Sequence, residues 1–195
     1  MLRTPAPLIG ALGIARNHYK CEPVLEAQCY PIGKRMSAFH EGGCLCGQIR
    51  YRTHGEPSRT LVCHCTFCQN FTGSSFNVES MFPSEAVEFF GSPMSRYEHR
   101  CDEGSGKLAH IYFCSTCGTT VSLTFERSPG TRCILRGTFD DPNWVSITAN
   151  IWTRSAQTGI ALPADTDCYR EARLSPDGTL GVAERFRHPV MAVSE

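Results

Sequence analysis

The sequence has no excess of either charge: 19 lysines and arginines balance 19 aspartates and glutamates. A neutral chain lacks the basic footprint by which proteins hold nucleic acid or anionic membrane surfaces, so neither is an expected partner. Long apolar runs are missing too, and none approaches the roughly 20 residues that cross a bilayer as a helix. The stretch from Thr4 to Ala15 (TPAPLIGALGIA) resembles the apolar part of a signal peptide. Its charged leader is only Arg3 and no small-x-small cleavage site follows, so the expected location is cytoplasmic and reducing. There is no internal repeat and no phosphate loop. Gly104-Ser105-Gly106-Lys107 has Cys101 where that motif needs glycine, and Leu108 where it needs Ser or Thr.

With hydrophobic residues at 41 % and charged residues at 19 %, the composition is that of a globular chain long enough for one domain. Residues 1–37 carry no sustained period of 2 or 3.6. They read either as an N-terminal extension or as a misassigned start, with Met36 as the natural beginning. The domain is expected over 38–160, followed by a loop-rich tail over 161–195. Within the domain the signals are mostly strands. Gln48 to Thr53, Ser75 to Phe82, Val87 to Phe90 and Ser95 to Arg100 are separated by Gly, Pro and Ser. Leu108 to Phe113, Thr119 to Phe125, Thr131 to Thr138 and Val145 to Trp152 repeat the pattern. Spacing of about 8–12 residues predicts short antiparallel sheets with little helix. The best helix is Thr66 to Thr72. Beyond Arg154 the chain reads as loop, with a turn at Ser175-Pro176-Asp177-Gly178.

Cysteine is what the chain has in abundance: twelve residues, of which seven form three tight clusters. Cys44 and Cys46 open the set, Cys63, Cys65 and Cys68 follow, and Cys114 and Cys117 close it. Soft thiolates gathered at one point suit Zn²⁺, four in a structural site and three plus an open position in a reactive one. A disulfide framework is the bland alternative. It belongs to oxidising compartments and to chains shorter than about 100 residues, and neighbouring cysteines in C-x-C meet the required bridge geometry poorly.

In an extended strand Cys44 and Cys46 would offer two sulfurs on one face, with Gly42, Gly43 and Gly47 leaving the backbone free to bend. Cys114-x-x-Cys117-Gly118 reads as a turn with both sulfurs inward, and Gly118 supplies its unusual dihedral. These two pairs can share one zinc. Cys63, Cys65 and Cys68 can hold another and leave its fourth position open. His64 between them would face the other way, and a buried, hydrogen-bonded histidine is its better reading. A ribbon pairing Cys65/Cys68 with Cys114/Cys117 is a competing arrangement, although its gap exceeds the usual spacing of about 15–20 residues. Spacing leaves the choice open.

The segments GGCLCGQIRY, CHCTFCQNFTGSSF, FCSTCGTT and LRGTFDDPNW, in this order, resemble the glutathione-dependent formaldehyde-activating enzyme (GFA) or centromere-protein-V domain family over about residues 42–155. All seven clustered cysteines and their glycines fall in place. The following NIWTRSAQTG looks like uncharacterised bacterial members of that family. The resemblance implies a zinc-bearing β-tent fold with two zinc ions per chain. It implies a structural zinc on Cys44, Cys46, Cys114 and Cys117, and a catalytic zinc on Cys63, Cys65 and Cys68. The implied reaction is that of a carbon–sulfur lyase, joining formaldehyde to glutathione as S-(hydroxymethyl)glutathione. Its partners are then a small thiol and a small aldehyde. Two rivals remain: the same fold acting on another thiol or electrophile, and a zinc-stabilised binding module without turnover.

Glutathione carries two carboxylates, which makes Arg50, Arg52, Arg59 and Arg96 candidate anchors. Asn70, Thr72 and Gly73 are placed to line the reactive cluster's mouth or to cap a helix. Asp140-Asp141-Pro142 reads as turn chemistry rather than a general-base pair. Cys21, Cys29, Cys101, Cys133 and Cys168 stand alone and read as small buried apolar side chains.

Overall fold

Where apolar and polar residues alternate, the chain forms strands. This computed structural model describes residues 39–101, 106–175 and 177–193, so the readings of residues 1–37, including Cys21 and Cys29, lie outside the described residues. The first strands are β1 (Phe39–Gly43), β2 (Ile49–His54) and β3 (Arg59–Cys63). The single α-helix among the described residues, α1 (Thr66–Thr72), follows. Next come β4 (Asn77–Pro83), β5 (Val87–Gly91), β6 (Ser95–Arg100), β7 (Leu108–Phe113), β8 (Thr120–Phe125) and β9 (Thr131–Leu135). The last are β10 (Ala149–Ile151), β11 (Ala161–Leu162), β12 (Asp167–Tyr169), β13 (Ala183–Glu184) and β14 (Val190–Met191).

The main sheet has the order β13-β12-β10-β3-β4-β9-β8-β7-β6, and a small sheet has the order β1-β2-β5. The fold is mainly β, and its pairings are antiparallel except where β10 lies parallel to β3 and to β12. A parallel pair needs a long crossover. Between β3 and β10 the crossover is the whole run from α1 to β9. The predicted strand over Thr131 to Thr138 stops at Leu135, where a 3-10 turn (Arg136–Thr138) closes and the Thr138 hydroxyl donates to the Leu135 carbonyl (2.8 Å). The one predicted over Val145 to Trp152 is strand only at Ala149–Ile151, and it ends there because Trp152 turns to a left-handed φ of 58°. β3 escaped prediction because its residues are buried on both faces, which replaces alternation with the short apolar run Leu61-Val62-Cys63.

Alternation decides which core each residue joins. On β4, Phe82 packs with Ile49, Tyr51, Ile134 and Phe139 against the small sheet. Its neighbour Met81 packs on the opposite face with Ala109, Leu123 and Cys133. Beside that second cluster, Leu61, Ile151 and Tyr169 pack around Cys63 and Cys68. The two sets of clustered cysteines therefore belong to different cores.

Gly42 lies where β1 crosses Tyr51. A methyl group there would overlap the Tyr51 hydroxyl and the Thr138 carbonyl. Gly42→Ala is expected to lower stability by about 1–3 kcal/mol through overpacking, read as a shift in the denaturation midpoint at unchanged slope.

Candidate metal centres and the adjoining cavity

Cys44 and Cys46 sit in the turn between β1 and β2 rather than along a strand, the arrangement their spacing suggests. The turn closes through the Gly47 amide donating to the Cys44 carbonyl (3.0 Å), with Gly47 at φ +77°. The Ile49 amide then donates to the Cys44 sulfur (3.3 Å). Cys114 and Cys117 form the matching turn between β7 and β8. There the Gly118 amide donates to the Cys114 carbonyl (2.9 Å), and Gly118 takes the expected positive φ of 74°. The Thr119 hydroxyl joins the two turns, accepting from the Leu45 amide (3.2 Å) and lying 3.2 Å from the Cys117 sulfur. Hydrogen bonds from Thr119, side chain first and backbone second, bring the Cys117 thiol down to about 5.

The four sulfurs all lie within 4.8 Å of one another. Cys44 and Cys46 are 3.5 Å apart, and Cys46 and Cys114 are 3.7 Å apart. A zinc tetrahedron with arms of about 2.3 Å has sulfur–sulfur edges of about 3.8 Å. A disulfide would need about 2.05 Å. The donor set and its spacing therefore suit Zn²⁺, and the cysteines are free thiols.

Cys63, Cys65 and Cys68 form a separate group within the same 4.8 Å limit, which disposes of the ribbon arrangement. β3 delivers Cys63 at its end. Cys65 is the N-cap of α1, where its sulfur accepts from the Cys68 amide (3.4 Å) and lies 3.4 Å from the Cys63 sulfur. Cys63 and then Cys68 hydrogen-bond to the Cys65 sulfur, bringing its thiol down to about 3. The Cys65 interaction, with burial, pushes Cys63 up, and interactions with Cys63 first and Cys65 second, with burial, push Cys68 up. The group thus favours thiolate at its centre. His64 is 1 % exposed, its Nε2 lies 3.2 Å from Asn150 Oδ1, and burial lowers its pKa. It stands outside the sulfur group.

A cavity of about 250 Å³ is lined by Cys63, Cys65 and Cys68. Phe67, Phe125 and Trp152 supply apolar wall, and Glu79, His99, Cys101, Arg127 and Arg154 supply polar groups. Gln69 ties the walls together, donating from Nε2 to the carbonyls of His64 (2.7 Å) and Ser155 (2.8 Å). Sequence reasoning singles out none of Glu79, Arg127, Arg154 and Gln69. None belongs to a ligand-spacing pattern: Gln69 follows Cys68 in α1, and strand order brings the other three to the site.

Glu79 is buried, held by Asn77 Nδ2 (3.4 Å) and the Cys133 thiol (3.6 Å). Desolvation first, then the charge of Cys65, push it from 4.5 up to about 7. A raised acid contributes stability fully below its unfolded value and loses it as pH rises through the folded one. Wild-type stability is therefore expected to fall between about pH 4.5 and 7 from this group. Glu79→Gln flattens that fall and gains up to about 3 kcal/mol at pH 8, as urea unfolding at several pH values would show.

The four arginines proposed as anchors lie elsewhere or are held by partners. Arg50 is paired with Asp140, Arg52 with Glu41 (2.6 Å) and Arg96 with Glu98 (2.6 Å); Arg59 does not line the cavity. Arg50 holds Asp140 below the usual carboxylate range, so Asp140 is no base in waiting. Asp141 accepts from the Asn143 amide (3.0 Å), the expected turn chemistry. Asn70 and Gly73 line a neighbouring polar hollow instead of the cavity, and the Thr72 hydroxyl donates to the Cys68 carbonyl (2.6 Å). Cys133 and Cys168 are buried as expected, whereas Cys101 is half-buried at the cavity.

Comparison with known proteins adds three findings. An uncharacterized lyase of Schizosaccharomyces pombe (strain 972) is 29 % identical over 86 residues, 44 % of this chain and 58 % of that protein. The chain thus spans somewhat more than half the length of this relative. A Rhodobacter sphaeroides protein of known crystal structure aligns at 16 % identity with a TM-score of 0.43, over 55 % of this chain and 96 % of the other. The family described as glutathione-dependent formaldehyde-activating enzyme matches residues 39–155, which span both cysteine groups. The chain belongs to the glutathione-dependent formaldehyde-activating enzyme family.

Proposed function

We propose that this protein is a zinc-dependent carbon–sulfur lyase. It condenses formaldehyde, or a related small aldehyde, with the thiol of glutathione to give S-(hydroxymethyl)glutathione. The observation that carries this reading is the position of Cys63, Cys65 and Cys68 on the wall of a cavity whose other lining includes exposed side chains. The yeast relative's name, a lyase, supports the reaction class.

Cys44, Cys46, Cys114 and Cys117 would hold a structural zinc, since four thiolates complete a tetrahedron. Cys63, Cys65 and Cys68 would hold a second with one position left for a ligand. Zinc bound there lowers the pKa of a thiol, so that a thiolate nucleophile exists at neutral pH. The remaining work belongs to the chain. Phe67, Phe125 and Trp152 shape the space in which aldehyde and thiol meet. The carbon–sulfur bond forms as the carbonyl π bond breaks, and the thiol proton ends on the new hydroxyl oxygen. These reactants add without a catalyst, so the gain comes chiefly from orientation. Thiolate chemistry suits a reducing cytoplasm, which is part of the same proposal. Among the described residues no helix is long and apolar enough to cross a membrane.

The test pairs zinc content per chain with calorimetric titration of glutathione and with formaldehyde consumption. About two zincs, saturable glutathione binding and consumption above the uncatalysed background are expected. Fully loaded protein that neither binds glutathione nor accelerates consumption would overturn the reading, in favour of another thiol or a zinc-stabilised module.

A further inference from the structure

We infer that Trp152 is the specificity-determining residue of the three-cysteine cavity. Its indole fixes the room beside the sulfurs and excludes reactants that branch next to the reacting atom. The inference rests on the proposed addition of a thiol to an aldehyde in that cavity.

Ile151 and Trp152 are neighbours in the chain, yet both line the cavity. Ile151 ends β10 and pairs in register with Cys63. Had the strand continued, Trp152 would face away from the sulfurs, because side chains alternate across extended backbone. Instead Trp152 takes φ 58° and ψ 38°, the left-handed region. Its ring then packs against the same cluster as Ile151, the one that holds Cys63 and Cys68.

Among the described residues two non-glycines have positive φ, Asp165 and Trp152. Aspartate visits that region readily, whereas a bulky side chain there is strained. Such residues persist where their surroundings over-determine them, and they gather at functional sites. Here the Trp152 amide donates to the Glu171 carbonyl (3.0 Å), and the Ser155 amide donates to the Trp152 carbonyl (3.0 Å). Gln69 of α1 holds the Ser155 carbonyl (2.8 Å), and the Arg154 guanidinium carbon lies 5.1 Å from the indole centroid. A wall braced in this way does not yield to a larger reactant.

The room it leaves is small. The cavity measures about 250 Å³, below the span of about 300–1,000 Å³ usual for ligand pockets. Phe67 stands on α1 and Phe125 on β8, where regular geometry puts them. Trp152 is the aromatic wall residue set against the preference of its own backbone, and it stands directly after the partner of Cys63.

The test uses the zinc-loaded full chain as wild type, Trp152→Gly, Trp152→Asn and Trp152→Phe. Glycine and asparagine accept the left-handed backbone and remove the indole, whereas phenylalanine keeps a ring. With glutathione as thiol, turnover of formaldehyde and of 2-methylpropanal is measured, each as its enhancement over the uncatalysed rate. Independently of turnover, ethanethiol and 2-methyl-2-propanethiol are titrated by calorimetry. Wild type is expected to favour the smaller member of each pair by about a hundredfold, and the Gly and Asn variants by about tenfold or less. The Phe variant should stay closer to wild type. A merely structural role would lower both members of a pair in proportion and leave the ratios where they were. Equal treatment of both members by wild type, or unchanged ratios in the Gly and Asn variants, overturns the role of Trp152 and leaves the lyase reading standing. Wild type that binds ethanethiol but accelerates neither aldehyde overturns the lyase reading, and the thiol ratios then decide the role of Trp152. Absence of binding for both thiols in wild type overturns both.

Discussion

Cys117→Ser is expected to unfold most of the protein at 37 °C, with a fall in melting temperature larger than any single substitution outside the cysteine groups produces. Cys117 belongs to the β7–β8 turn, and its sulfur group joins that turn to the β1–β2 turn of the small sheet. A structural zinc in such a place contributes apparent free energy of about 10–16 kcal/mol in isolated zinc-binding peptides, against total stabilities of about 5–15 kcal/mol for whole domains. On the proposed reading, removing one of four thiolates leaves three on an ion that needs a fourth, and much of that contribution goes. Scanning calorimetry of wild type and variant, each with measured zinc content, decides the matter. A variant as stable as wild type would show that these four cysteines do not hold a folding metal.

Cys65→Ser is expected to behave in the opposite way. Cys65 is the N-cap of α1 and accepts the Cys68 amide through its side chain. Serine is among the best N-cap residues, so the helix keeps its first hydrogen bond and the fold keeps its stability within about 1 kcal/mol. A serine hydroxyl is not ionised at neutral pH and is a poor ligand for Zn²⁺, whose preference here is thiolate. Zinc content should fall from about two per chain towards one while the melting curve barely moves. Formation of S-(hydroxymethyl)glutathione should fall to the uncatalysed rate. Loss of both zincs, or a collapse in melting temperature like that of Cys117→Ser, would show that the three-cysteine site is structural as well.

The contrast between these variants follows from what lies around each sulfur. At Cys117 the neighbours are two turns that meet through Thr119. At Cys65 they are a helix already packed by Phe67 and Phe71 and pinned by Gln69. The four sulfurs lie where two turns meet, and the three lie beside a helix that packs through its own side chains.

Much of this is legible in the sequence because it is local. The helix at Thr66–Thr72 and the strands at Ser95–Arg100 and Leu108–Phe113 follow from period and punctuation over a few residues. Ligand spacing within one turn is equally local, so the cysteine clusters stand out in the sequence alone. Other features are beyond local reasoning. β3 is buried on both faces and shows no alternation, and β10 lies parallel to it only after six intervening strands. Arg50, Arg52 and Arg96 look as suitable as any arginine until their partners Asp140, Glu41 and Glu98 are in view.

Glu79, Arg127 and Arg154 belong to no ligand pattern. Spacing says which sulfurs are near each other along the chain, because a few bonds limit how far they separate. It does not say which wall or charge stands beside them. That depends on the order in which strands are laid into a sheet, and strand order is chosen by the packing of distant residues rather than by any of their neighbours.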